Sequence, residues 1–274
     1  MTDTWRIIIT APTHGTWNVA ADESILEHVG REEAPPTLRL YAWAPACLSL
    51  GHAQPFADID VSRLEQRGWE MVRRPTGGRA ILHTDELTYS VIAPTNERHV
   101  AGSVLESYNR LACALLRAVR SLGLDAQSNP LRAELSSQHG SANPVCFEVP
   151  SAYEITVGGK KLIGSAQARR KEGVLQHGSL PLVGDLARIT EALVFQDESA
   201  RLAAAQRLLE RATTVEAALG ERISWDEAAQ AFSRAFESEL DLRLDKGELS
   251  ESELRRTGEL VEEKYAHPDW MRRV

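Results

Sequence analysis

The chain has 274 residues, 43% hydrophobic and 26% charged, with a formal net charge of −8. That length can bury a substantial core without metal or disulfide staples, and no apolar run is long enough to span a bilayer. The acidic balance opposes a general nucleic-acid role, and three cysteines without Cys-x-x-Cys spacing oppose a disulfide framework or structural zinc site.

Met1-Thr2-Asp3-Thr4-Trp5 has neither a basic nor an apolar leader region, so a cytoplasmic, membrane-free protein is expected. Trp5–Thr10 reads as a strand, Asn18–Val29 as a helix ending near Gly30, and Leu38–Trp43 as a second strand. Trp69–Arg73 and Leu87–Ile92 are further strands, separated by the breaker Pro75-Thr76-Gly77-Gly78. Val104–Leu122 carries apolar residues at helical spacing, with a Ser103/Glu106 capping box before it and Gly123 after. Strands resume at Tyr153–Val157, Lys161–Ala166 and Val174–Leu182, the first two joined by a Gly158-Gly159 hairpin turn. From about Asp185 helix formers dominate, and Ser224/Glu227 and Ser250/Glu253 open helices by the same capping logic. This pattern predicts an α+β fold: a mixed β-sheet with flanking helices in a core over 1–200, and a helical C-terminal portion over 201–274 packed on it.

Two basic islands stand out against the acidic background: Arg73, Arg74 and Arg79, and Lys160, Lys161, Arg169, Arg170 and Lys171. Either they steer an anionic ligand or acidic partner, or they are solvated surface. Within Arg73–His83 the pair Gly77-Gly78 would allow close backbone approach to a polar group, although Pro-Thr-Gly-Gly is also an ordinary turn. Nucleotide-loop spacings are missing from it. Cys146 sits between Pro144 and Pro150, in a restrained loop rather than on a periodic face, so it is either incidental or a reactive thiol. Cys47, in an apolar run, and Cys113, in the amphipathic helix, read as packing residues. Lys161 leads into a strand fifteen positions after Cys146, and a lysine close in space would stabilise a thiolate.

The order and spacing of RRPTGGRAILH, LTYSV, CFEVPSAYEI, GGKKLIGSAQ and LQHGSLPL resemble the lipoate-protein ligase and octanoyltransferase family, as do TWNVAADESIL and KYAHPDW near the two ends. The resemblance implies a fold like that of biotin-protein ligases, with an acyl tunnel lined by the glycine-rich segment. The family's lysine falls on Lys161, and Cys146 lies where the carrier-dependent branch places its nucleophile. Arg79, where many ligases have another glycine, favours that same branch. The implied activity is octanoyl transfer from acyl carrier protein to a lysine of a lipoyl acceptor domain, through a Cys146 thioester. The acceptor would be the glycine cleavage H protein or a 2-oxoacid dehydrogenase E2 subunit. No ATP or metal cofactor is expected, and the chain is expected to be a monomer. Implied acyl-site residues are Arg74, Gly77, Gly78, Arg79, His83, Tyr89, Ser165, Gln167 and His177. His83 and His177 could orient a carbonyl or relay a proton, or be satisfied structural histidines; Tyr89 could simply be core. The competing activities are an ATP-dependent lipoate ligase, an amidotransferase between lipoyl domains, and a non-catalytic lipoyl-domain binder.

Overall fold

The computed structural model describes residues 3–130 and 153–274. Eight strands form one sheet in the order β11 (Leu242–Lys246), β1 (Asp3–Ile9), β2 (Thr37–Tyr41), β6 (Glu86–Ala93), β10 (Val174–Pro181), β9 (Lys160–Arg169), β8 (Tyr153–Val157) and β7 (Ala126–Pro130). β1 runs parallel to both β2 and β11, while the pairs from β2 to β7 are antiparallel, so the sheet is mixed as expected. A smaller sheet, β4 (Glu70–Arg73), β3 (Cys47–Leu50) and β5 (Ile81–His83), stands beside it.

The central strands β6 and β10 are buried along their whole length, and alternation sorts their side chains between two faces. Leu87, Tyr89 and Val91 join the large apolar core with α3 (Val104–Ser121) and α6 (Trp225–Leu240). Glu86, Thr88, Ser90 and Ile92 point the other way. On that face α1 (Gly15–Gly30) lies over the sheet and packs against α7 (Glu251–Leu260). Register extends this second face: His177 pairs with Ser90 and Ala166, and Ser179 with Thr88 and Gly164. Paired residues of antiparallel strands share a face, so one side of the sheet is an apolar helix seat and the other carries the polar residues.

The three sequence-derived capping boxes, at Ser103, Ser224 and Ser250, all form. Gly158 and Gly159 both take positive φ, the conformation a two-residue hairpin turn needs. Two expectations need correction. The C-terminal region is not purely helical, because β11 joins the sheet edge beside β1. Cys113 is exposed, not packed: it lies on the outer side of α3, whereas Cys47 is fully buried against Gly15.

Candidate active site

The polar face of the sheet, the smaller sheet and the glycine-rich turn enclose a cavity of about 570 Å³, counting its open mouth. Trp43, Ser49, Arg74, His83, Thr88 and His177 supply its polar and aromatic walls, and Gly78, Gly164 and Gly178 its small ones.

The two adjacent arginines do different things. Arg73 is fully buried and donates to the carbonyls of Gly51, Gln54 and Met271, so it ties the C-terminus to the core. It therefore cannot steer a partner. Arg74 donates to Ser49 O (2.9 Å), Ser49 Oγ (3.1 Å), Gly77 O (2.8 Å) and Arg79 O (2.8 Å), which shapes the turn from within. Gly78 holds φ +93°, and a Cβ on Gly51 would collide with the Gly78 carbonyl oxygen, so turn and strand end pack backbone to backbone. Gly77 is open, with nothing within 4 Å of a Cβ. Arg79 is half-buried and contributes its carbonyl to Arg74.

Two histidines face the cavity. His83 shares a hydrogen with Glu86 Oε1 through Nδ1 (2.6 Å) and meets Ser49 Oγ through Nε2 (2.8 Å). Its ring stacks on Trp43 with centroids 4.0 Å apart and planes at 10°. Glu86 Oε1 also accepts from Thr88 Oγ1 (2.6 Å) and Ser179 Oγ (2.8 Å). Burial would raise the Glu86 carboxyl, but the adjacent His83 and these hydroxyl donors outweigh it and hold it below the usual value. His177 Nε2 lies 2.6 Å from Thr76 Oγ1, and its Nδ1 is 3.9 Å from Asp22. Burial pushes His177 below the usual histidine value, with the charges of Arg74 and His83 adding to it against the pull of Asp22. Asp22 is itself paired with fully buried Arg39 at 2.7 Å and accepts from Ser90 Oγ and Tyr41 OH.

Lys161 is buried, with Nζ 2.8 Å from Glu154 Oε1. A Cβ on Gly164 would come within 2.8 Å of Lys161 Cε and 3.2 Å of Nζ, so the ammonium lies directly over the cavity glycine. β8 and β9 shift register at Ile155/Thr156, close to this point. Cys146 lies outside the described residues. Ser165 reaches the cavity wall, but its hydroxyl bonds Tyr89 OH (2.7 Å) behind it. Tyr89, its phenol pushed up to about 12 by burial, and Gln167, which donates to Ser107 Oγ and Gln176 Oε1, lie on the helix side of the sheet. These two do not line the cavity, because alternation puts them opposite to His177 and Ser179. In the second basic island Lys160 donates to Leu209 O, Arg169 to Val100 O and Arg170 to Glu23, leaving Lys171, 91% exposed, as its most solvent-facing member.

Glu86, Ser49, Thr76 and Asp22 escape the sequence reading. Glu86 stands three residues after His83, a spacing with no local meaning at a strand start, and Ser49 and Asp22 reach the site only through tertiary packing. Among the described residues, the one grouping of potential metal ligands is Asp3, Glu97 and His99, none of which lines the cavity. Arg98 sits between them, 2.7 Å from Asp3 and 3.0 Å from His99.

The model of the lipoyl protein ligase A/B catalytic domain matches residues 14–237. Octanoyltransferase LipM of Staphylococcus aureus is 36% identical over 99% of both chains, and that of Symbiobacterium thermophilum 39% identical over 98% of both. A bi-partite lipoate protein ligase from Thermoplasma acidophilum, solved with its E2 lipoyl domain, superimposes with a TM-score of 0.81 at 24% identity, covering 99% of this chain and 98% of that one. Lipoate-protein ligase A bound with ATP gives 0.78 at 24% identity over the full length of both. The two structures are likenesses of fold; the end-to-end sequence matches go further, and by them the chain belongs to the lipoyl protein ligase A/B catalytic domain family.

Proposed function

We propose that this octanoyltransferase of lipoate biosynthesis takes its acyl group from octanoyl-acyl-carrier protein and delivers it to a lysine of a lipoyl acceptor domain, holding it meanwhile as a thioester on Cys146. The full-length similarity to octanoyltransferases LipM carries the reading. The cavity walls and the ammonium over Gly164 are consistent with it.

In the first half-reaction Cys146 loses its proton, the thiolate attacks the carrier thioester, and the carrier sulfur is expelled as a thiolate that takes up one proton. Exchanging thioester for thioester is close to isoenergetic, so the scheme needs neither ATP nor metal. Lys161 supplies positive charge to favour the thiolate and the developing oxyanion. In the second, the acceptor amine attacks the acyl-enzyme, and amide formation drives the step. The acceptor is the glycine cleavage H protein or a 2-oxoacid dehydrogenase E2 subunit. Chain length is selected by burial in the cavity, at about 0.8 kcal/mol per methylene.

Intact-mass analysis after mixing the protein with octanoyl-acyl-carrier protein, without ATP, tests this. One hydroxylamine-labile octanoyl adduct is expected, lost in Cys146→Ala and retained in Cys47→Ala and Cys113→Ala. Lys161→Ala should slow its formation. Incorporation only from free acid plus ATP would instead make the chain a ligase. Incorporation only from an octanoylated lipoyl domain would make it an amidotransferase, and binding without turnover a non-catalytic partner.

A further inference from the structure

We propose that His83, acting through the Ser49 hydroxyl, takes the proton shed by the acceptor lysine in the second half-reaction, and that Glu86 is the positioning residue behind it. This rests on octanoyl transfer being the reaction.

The hydrogen-bond chain assigns the protons. Glu86 Oε1 is a buried acceptor already facing the hydroxyls of Thr88 and Ser179, so His83 Nδ1 donates to it. Nε2 then carries the lone pair, and Ser49 Oγ–H donates to it across 2.8 Å. Arg74 Nη1 donates to the same Ser49 oxygen at 3.1 Å. That bond prevents the hydroxyl proton from turning toward Arg74 and leaves one lone pair of Ser49 Oγ for an incoming N–H. Trp43, stacked on the imidazole, fixes its plane. Ser49, His83, Arg74 and Trp43 all line the cavity, and Ser179, the donor to Glu86, is the register partner of Gly164, over which the Lys161 ammonium lies.

The other cavity histidine is less suited. The carboxylate near His177 is 3.9 Å away and already answered by Arg39 at 2.7 Å, so it offers little to an imidazolium. Among the described residues, the ion-pair partner of Glu86 is His83 itself. A proton arriving on His83 therefore completes a buried pair instead of competing with an existing one.

The step balances as follows. The neutral amine nitrogen attacks the thioester carbonyl carbon. As the N–C bond forms, one N–H proton passes to Ser49 Oγ while the Ser49 proton passes to His83 Nε2, giving an imidazolium over Glu86. When the C–S bond breaks, the sulfur leaves as a thiolate and the imidazolium gives its proton up to solvent. The products are the amide, the thiolate, one released proton and neutral His83.

Single-turnover measurements from pH 5 to 9 test this by following adduct formation from octanoyl-acyl-carrier protein and then octanoyl delivery to a lipoyl domain. In His83→Gln, delivery should fall about 10²–10³-fold relative to loading, the usual range for general base catalysis. Glu86→Gln keeps the shape but removes the charge under the ring. The charged and titratable groups around His83 are Glu86 from β6, Arg74 from the turn, His177 from β10 and Cys47, its register partner on β3, with Glu70 of β4 one strand beyond. Of these, Glu86 is the one in direct contact, so its loss should move the acid limb of delivery about one pH unit or more toward lower pH. A purely structural role would lower both half-reactions without moving the limb. Equal losses in loading and delivery, an unmoved limb in Glu86→Gln, or delivery within threefold of the unaltered protein in His83→Gln would each overturn the proposal. If the unaltered protein forms no adduct, the covalent scheme fails instead, and overall delivery is read across the same pH range with the same expectations for both variants.

Discussion

Gly164 and Gly178 sit on neighbouring strands of the same cavity wall, yet a methyl group on each meets different things. At Gly164 it would meet the end of Lys161, a flexible side chain that can swing aside, whereas at Gly178 it would meet the Gly164 carbonyl oxygen at 2.6 Å and the Tyr89 ring at 2.7 Å. Gly164→Ala should therefore cost less stability in urea unfolding than Gly178→Ala while cutting acyl transfer at least tenfold, by moving the ammonium to which the proposed mechanism assigns a charge-stabilising role. Gly178→Ala should lose about 1–3 kcal/mol of stability, because backbone and a buried ring cannot yield cheaply. Paired activity and unfolding measurements on the two variants separate these outcomes, and a large stability loss at Gly164 would contradict the assignment. Gly77, at the open turn, was singled out by the same sequence reasoning but has no close neighbour that explains its need for glycine.

Helix starts were legible because a capping box is a contract between residues three apart, and all three boxes close as expected. The Ser103 hydroxyl accepts from the Glu106 amide while Glu106 caps the Ser103 amide, so Ser103→Ala is expected to cost about 1 kcal/mol in chemical denaturation. Because α3 seats against the helix side of the sheet and not against the cavity, octanoyl transfer at low denaturant should be unaffected. The existence of β1, β2, β4, β6, β8, β9 and β10 was equally local, but their facing was not, and the short β3, β5 and β7 were not legible as strands. Tyr89 and Gln167 belong to motifs that do form the site, and alternation still turns both toward the helices. β11 was missed for a related reason: five residues with weak periodicity become a strand only by pairing with β1, more than two hundred positions away.

The two ends of the chain meet around Glu23. Lys264 Nζ donates to its oxygens at 2.7 and 2.6 Å, Arg170 at 2.8 Å, and Tyr265 OH completes the cluster. The helix widens to a π turn over Val261–Tyr265, and this lets consecutive side chains reach one carboxylate. Trp270 Nε1 donates to the Arg73 carbonyl and Arg73 to the Met271 carbonyl, so the KYAHPDW segment clamps both α1 and the base of the glycine-rich turn. Lys264→Met should cost about 1–3 kcal/mol, moderated because Arg170 and Tyr265 remain. Glu23, Asp22 and Glu86 are each held below the usual carboxyl value, burial being outweighed by their partners. The stability they contribute is complete above their unfolded pKa of about 4 and is lost as pH falls through the lower folded values. His177, depressed by burial, starts its own loss earlier, as pH drops below about 6.5. Thermal midpoints from pH 8 to 3 should thus decline in two stages, and Glu23→Gln should shallow the second.

Composition, periodicity and motif order were sufficient for the fold class, the three capped helix starts and the glycine-rich turn, since each depends on neighbours within a few residues or on a signature read along the chain. The division of labour between Arg73 and Arg74, the carboxylate under His83, the hydroxyl at Ser49 and the ammonium over Gly164 depend on register between strands distant in sequence. That register is decided by which faces can be buried together, a property of the packed sheet and not of any one segment.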